Sequence, residues 1–260
     1  MNEELRIQDL SWKPEGKNKK ILENISTVLK SGEFYGIIGP NGSGKTSLIR
    51  HIMHFLSIQE GDILLSERSL KTFSRKEFAQ KLSLVPQNTN IDTDFTVYDI
   101  VSMGRNPYHR FLESNTEQDK LIIEEAMKMT GCLEMKDKSF RELSGGEAQR
   151  VIISRAIAQN TPYFILDEPI AHLDIRYQVE LMKNLKEINE KKQITIIAVL
   201  HDINLAASYC KKLILMKRGK IFSEGTVEEV LTLKNLKTVY EIDFNILKNP
   251  TNGKKYYIPE

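Results

Sequence analysis

Eight consecutive residues constrain this chain more than any others: Gly39-Pro40-Asn41-Gly42-Ser43-Gly44-Lys45-Thr46. They match the pattern G-x-x-x-x-G-K-[ST] at every fixed position. The apolar run Phe34-Tyr35-Gly36-Ile37-Ile38 leads into them, and residues 45–56 can carry on as a helix. Strand, glycine loop, helix is the setting in which this pattern cradles phosphate. Gly39, Gly42 and Gly44 let the backbone take positive φ and aim successive N–H groups at phosphate oxygens. The helix that follows, with Ser47 in its first turn, adds the positive end of its dipole. Lys45 supplies a full charge at the β- and γ-phosphates, and the Thr46 hydroxyl suits Mg²⁺. A chance glycine-rich turn would lack these flanks.

A second phosphate-handling segment lies far downstream, Leu143-Ser144-Gly145-Gly146-Glu147. Ser144 is a good N-cap, and the two glycines expose N–H groups at a helix start. The chain need not fold it back onto its own glycine loop, so the pair points to a site completed by two copies. Tyr163-Phe164-Ile165-Leu166-Asp167-Glu168 then reads as an apolar strand ending in two carboxylates. In α/β proteins ligands gather at such strand ends. Asp167 is expected to hold the metal through water. Glu168, turned to the other side, is expected to orient or deprotonate a water. An ordinary strand-to-turn ending before Pro169 is the bland alternative, and the glycine loop elsewhere in the chain argues against it. His201 follows the β-branched run 194–200 and can bond a phosphate oxygen or the attacking water. Gln87, after the run 82–85 and Pro86, offers a neutral amide to Mg²⁺ or water.

The rest of the chain alternates strand and helix signals. Leu5, Ile7 and Leu10 form a strand, residues 21–29 another, and the Lys17-Asn18-Lys19-Lys20 run reads as the hairpin turn between them. Further strands are expected at 63–65, 82–85, 163–166, 194–200 and 213–216, with helices at 75–80, 176–189 and 204–209. From 97 to 158 strand signals vanish. Helices are expected at 97–103 and 117–130, where Leu121, Ile122, Ala126, Met127 and Met129 recur at roughly helical spacing, and from Ser144 onward. This predicts an α/β fold with a mostly parallel central sheet, an N-terminal antiparallel β subdomain and an inserted α-helical subdomain. The expected boundaries are 1–96 and 160–240 for the core, 97–159 for the helical insert and 241–260 for a C-terminal extension, either ordered against the core or loose.

Composition narrows the function classes. The 260 residues carry 37 basic and 35 acidic side chains, a formal net charge of +2, so no global field draws the chain to nucleic acid. Cys132 and Cys210 make no disulfide framework and read as buried apolar residues, in keeping with a reducing compartment. The start, Met1-Asn2-Glu3-Glu4, has no charged-then-apolar signal pattern, and the apolar run 194–200 is far too short to span a bilayer. Any membrane role is expected to come through a partner.

Taken together, these residues resemble the ATP-binding cassette family, and the likeness covers nearly the whole chain. The glycine loop stands for Walker A (39–46), Gln87 for the Q-loop, 143–147 for the signature and 163–168 for Walker B. Ala171-His172-Leu173-Asp174 stands for the D-loop and His201 for the switch, in the family's order. The resemblance implies ATP and Mg²⁺ as cofactors, with Thr46, Gln87 and Asp167 toward the metal and Glu168, Gln87 and His201 in hydrolysis. It also implies a head-to-tail homodimer in which Ser144, Gly145 and Gly146 serve the partner's nucleotide and Asp174 couples the two sites. Trp12 is the candidate to stack on adenine. Pro14 at the family's Tyr position, with Trp12 in the core, is the alternative. Ala148 and Ile170 depart from the family's usual residues and flank the site rather than make it.

A narrower likeness lies in Gly104-Arg105-Asn106-Pro107-Tyr108-His109 and Leu200-His201-Asp202-Ile203-Asn204-Leu205-Ala206. Both resemble the cassettes of bacterial importers for ferric siderophores, haem and cobalamin. That implies permease subunits docking on residues 87–110, a substrate-binding protein met only indirectly, and a peripheral place on the cytoplasmic face of the membrane. The competing classes are soluble cassette ATPases that work on DNA or ribosomes, and iron–sulfur assembly ATPases. The chain has neither the long coiled coil nor the basic stripe of the first, and the 104–109 string counts against the second.

Overall fold

Strand β1 (Glu4–Trp12) buries Leu5, Ile7 and Leu10, and β2 (Leu22–Lys30) buries Leu22, Ile25 and Leu29 against it. The computed structural model describes residues 4–87, 93–110, 113–170 and 173–260. The chain forms two compact units, Met1–Thr72 with Ile197–Glu260, and Phe73–Ile196.

In the first unit β1 and β2 run antiparallel around the 13–21 turn. After β3 (Phe34–Ile38), buried throughout, and helix α1 (Lys45–Ile52), the strands β4 (Glu60–Leu65) and β5 (Arg68–Ser69) complete a sheet of order β2-β1-β4-β5. Strand β1 shifts register between Ile7 and Leu10, with Asp9 at φ 47°. Gly61 passes so close to that bulge that a Cβ there would lie 2.2 Å from the Gln8 carbonyl, which only glycine allows.

The second unit begins with α2 (Arg75–Ala79) and β6 (Leu82–Val85), followed by α3 (Val97–Ser102), α4 (Glu117–Met129) and α5 (Gly145–Ala158). Each of these helices starts on a capping box: Ser74 with Glu77, Thr96 with Asp99, Thr116 with Asp119, and Ser144 with Glu147. In each the hydroxyl accepts from the third backbone N–H while the carboxylate accepts from the cap's own N–H, satisfying two orphan donors. Strand β7 (Tyr163–Asp167), buried at every position, pairs with β6 in parallel, Leu82 opposite Tyr163 and Val85 opposite Leu166. Helix α6 (Ile175–Lys192) follows, and β8 (Thr195–Val199) carries the chain back into the first unit.

There α7 (Ile203–Tyr209) leads to β9 (Lys212–Lys217), parallel to β3 with Ile37 opposite Ile214, and to β10 (Lys220–Thr226), antiparallel to β9. Arg218 and Gly219 both take positive φ between β9 and β10, as a tight two-residue hairpin requires. Helices α8 (Val227–Val230) and α9 (Leu233–Tyr240) precede a closing hairpin, β11 (Phe244–Lys248) with β12 (Lys255–Pro259). The Asn204 side chain grips β12 with both amide atoms, accepting from Tyr257 N at 2.8 Å and donating to Tyr257 O at 3.1 Å. The closing hairpin is thus tied to α7. The fold is mixed α/β as expected, with an antiparallel N-terminal sheet, parallel pairing in both units and a helical stretch in the second. Cys132 and Cys210 are buried free thiols, and burial pushes both pKa values up. Among the described residues no helix is long and apolar enough to cross a membrane.

Candidate functional site

The glycine loop links β3 to α1 in the first unit. Gly39, Gly42 and Gly44 sit at φ +146°, +75° and +104°, where side chains are strained. At Gly39 a Cβ would also lie 2.3 Å from Met216 O, and at Gly44 2.9 Å from Leu22 Cδ2. The loop is thus held against β9 and β2 by glycine alone, and Gly219 N donates to Ser43 O at 2.9 Å from the β9–β10 turn. Lys45 is buried and folds over its own loop, donating to Gly39 O at 2.8 Å and Pro40 O at 3.1 Å. Asn41 and Gly42 are exposed, and a Cβ on Gly42 would meet nothing within 4 Å. Ser43 Oγ is buried and makes no hydrogen bond among the described residues. A buried cation and an unused hydroxyl beside a helix start fit a polyphosphate. Thr46 and Ser47 occupy the first turn of α1, half-buried.

His201 lies in the same unit. Leu200 N donates to Ile37 O at 3.1 Å, so His201 leaves the strand beside the one that feeds the loop. It is exposed, and Asp202 behind it caps α7 by accepting from Asn204 N and Leu205 N. Trp12 is half-buried, with its ring edge-on to His51 at 5.2 Å between centroids. His51 sits on α1 with Nδ1 2.7 Å from Ser47 O, and burial lowers its pKa. Trp12 therefore packs on the helix that follows the loop. One residue here escapes sequence reasoning altogether. Tyr240, at the end of α9, sits beside the Gly39 backbone, and burial outweighs that contact to push its hydroxyl up to about 12.

The second unit holds the carboxylates. Asp167 ends β7 and is buried, whereas Glu168 is half-buried at φ 53°, an unusual conformation for a non-glycine residue. Held strain of this kind gathers at functional sites. Glu168 Oε2 accepts from Gln87 Nε2 at 2.7 Å, so the structure brings together two of the residues singled out for hydrolysis. Among the described residues no group of three or more His, Cys, Asp or Glu could hold a metal. The expected set is of another kind, one hydroxyl, one amide and one carboxylate. It suits Mg²⁺, which keeps waters and takes the rest of its oxygens from substrate phosphates.

Ser144 and Gly145 are exposed at the start of α5, and a Cβ on Gly145 would meet nothing within 4 Å. Ser144 Oγ donates to Glu147 Oε2 at 2.7 Å, and that bond first, then the Ser144 backbone, lowers the Glu147 pKa. Asp174 caps α6 by accepting from Tyr177 N at 3.0 Å. Ala171 and His172 of the expected D-loop, and residues 88–92 of the expected docking stretch, lie outside the described residues. The Gly104–His109 string is pinned on several sides. Arg105 donates to Asp119 at 2.8 Å and to Ala158 O at 2.9 Å, and a Cβ on Gly104 would lie 2.3 Å from Arg155 O.

The family model described as ABC transporter matches residues 22–171. The chain is 35% identical over 239 residues to the probable siderophore transport system ATP-binding protein YusV of Bacillus subtilis (strain 168), covering 92% of this chain and 87% of that one. It is 34% identical over 239 residues to the ferric enterobactin transport ATP-binding protein FepC of Escherichia coli (strain K12), covering 92% and 88%. Among solved structures it resembles the dimeric ATP-binding cassette MJ0796 in a post-hydrolysis state bound to ADP and Pi. That likeness has a TM-score of 0.76 at 26% identity and covers 86% of this chain and 98% of that one.

Proposed function

The chain belongs to the ABC transporter family, and we propose that it is the ATP-hydrolysing subunit of an importer for a ferric siderophore, haem or cobalamin. The observation that carries the nucleotide chemistry is the contrast, within one chain, between a loop whose Gly39 and Gly44 are packed against their own chain and a signature whose Gly145 and Gly146 are open. A site built from the loop of one copy and the signature of another forms only on ATP-driven dimerisation, as the dimeric, ADP-bound cassette of similar fold supports. The cargo rests on the relatives, which are siderophore and enterobactin transport proteins.

In this mechanism the loop N–H groups and Lys45 bind the β- and γ-phosphates and fix the γ-phosphorus for in-line attack. Glu168 takes the proton of the attacking water while the bridging oxygen leaves with ADP, and Gln87 orients that carboxylate through Oε2. Thr46, Asp167 and Gln87 would hold Mg²⁺, which supplies charge neutralisation on the phosphates. His201 hydrogen-bonds the γ-phosphate, and Ser144 with the N–H groups of Gly145 and Gly146 reaches it from the partner copy. Closure and reopening of the pair pass motion to permease subunits docked around 87–110, at the cytoplasmic face of the membrane.

The test is affinity capture from membranes followed by ATPase assay with reconstituted partners. A multi-span permease should co-purify, and a ferric chelate with its binding protein should stimulate hydrolysis. Capture of ribosomes or DNA-bound proteins, with hydrolysis indifferent to chelate, would overturn the importer.

A further inference from the structure

Between Glu168 and Asp174 runs a short segment whose described carbonyls are held by glutamines. Gln149, on α5, is 2% exposed and donates from Nε2 to Pro169 O at 3.1 Å. Gln178, on α6, donates to Ile170 O at 3.2 Å and Leu173 O at 2.9 Å. The same α5 runs beside the far end of the segment, where a Cβ on Gly146 would lie 3.7 Å from Leu173 Cδ2. The signature helix therefore lies along the segment, beside Leu173 at Gly146 and bonded to Pro169 a turn later through Gln149. Pro169 has no N–H to anchor it, and the residue before it, Glu168, sits at φ 53° and needs its surroundings to hold it there.

We propose that Gln149 is a positioning residue that couples the signature helix to Glu168 of the same chain. One copy's signature, serving its partner's ATP, and that copy's own general base then shift together. This rests on the two-copy site proposed above. The plain alternative is a buried amide that merely satisfies a core carbonyl.

Gln149→Met separates the two, since it keeps length and volume and removes the donor together with an amide oxygen that has no partner among the described residues. The assay uses a purified heterodimer of a Lys45→Ala chain with a Ser144→Arg chain, which retains one composite site. That site takes its glycine loop and Glu168 from the Ser144→Arg chain and its signature from the Lys45→Ala chain. Gln149→Met is added to one chain or the other, and kcat, KM for ATP and the thermal midpoint are read. Coupling predicts a fall in kcat of roughly 3- to 10-fold in either placement, the scale of one hydrogen bond, with KM unmoved and the midpoint lowered only as the loss of one buried hydrogen bond requires. Gln149→Glu, which turns a carboxylate toward the Pro169 carbonyl, should lower kcat further. Loss in one placement only, or a loss that appears in KM rather than kcat, would overturn the coupling. If the parent heterodimer keeps full activity or none, the two-copy site itself has failed.

Discussion

A Cβ at Gly39 would lie 2.3 Å from the Met216 carbonyl and one at Gly44 2.9 Å from Leu22, whereas one at Gly145 meets nothing within 4 Å and one at Gly146 only Leu173, at 3.7 Å. Both segments open a helix and both are glycine-rich, yet their own chain requires glycine at the first and tolerates a methyl at the second. In the two-copy site proposed above, that space is where the partner's nucleotide would approach. Intrachain packing confines Gly39 and Gly44 of the glycine loop and leaves Gly145 and Gly146 of the signature open.

The sharpest way to break this contrast is to fill both. Gly39→Val forces a side chain into a backbone carbonyl at φ +146°, and should abolish ATP binding in calorimetry while costing roughly 3 kcal/mol or more in thermal unfolding. Gly145→Val should leave the unfolding midpoint and monomer ATP binding intact, yet lower steady-state hydrolysis by about tenfold or more as a donor surface is blocked. Comparable loss of stability in the two variants would erase the distinction.

Two capping boxes in the second unit repeat the contrast on a smaller scale. Asp119 is buried, bonded to Thr116 and Arg105, while Glu147 caps an exposed helix start. Burial works against ionisation of Asp119, but its bonds to Thr116 and Arg105 overcome it and hold the carboxyl at about 2, below the ordinary 3.8. A depressed folded pKa means the contribution is complete above pH about 3.8 and disappears as pH falls through about 2. Urea titrations should show Asp119→Asn costing about 2 kcal/mol at neutral pH, with the gap from wild type closing toward pH 2. Glu147→Gln should change stability by less than about 0.5 kcal/mol.

The parts legible in the sequence were those encoded locally. The loop is a contiguous string, β7 is an unbroken apolar run before two acids, and Ser144-x-x-Glu147 announces its own helix start. Strand β10, with exposed and half-buried residues alternating over a polar string, carries little signal without β9 beside it. The closing hairpin depends on Asn204, far away in the chain. Gln149 looked like any polar residue of a helix, because its partner is a backbone carbonyl that only the fold supplies. The Gly104–His109 string resembles importer cassettes in sequence. Its physical content is the pinning of Arg105 and the absence of room for a Cβ at Gly104.

The central claim is that one copy's signature closes the other's glycine loop, and sedimentation of the Glu168→Gln protein tests it most directly. With hydrolysis slowed by about a hundredfold or more, the account predicts monomer without ATP and dimer with it, and monomer in both conditions once Ser144→Arg is added. A dimer that forms without ATP, or one that persists with ATP despite Ser144→Arg, would contradict it.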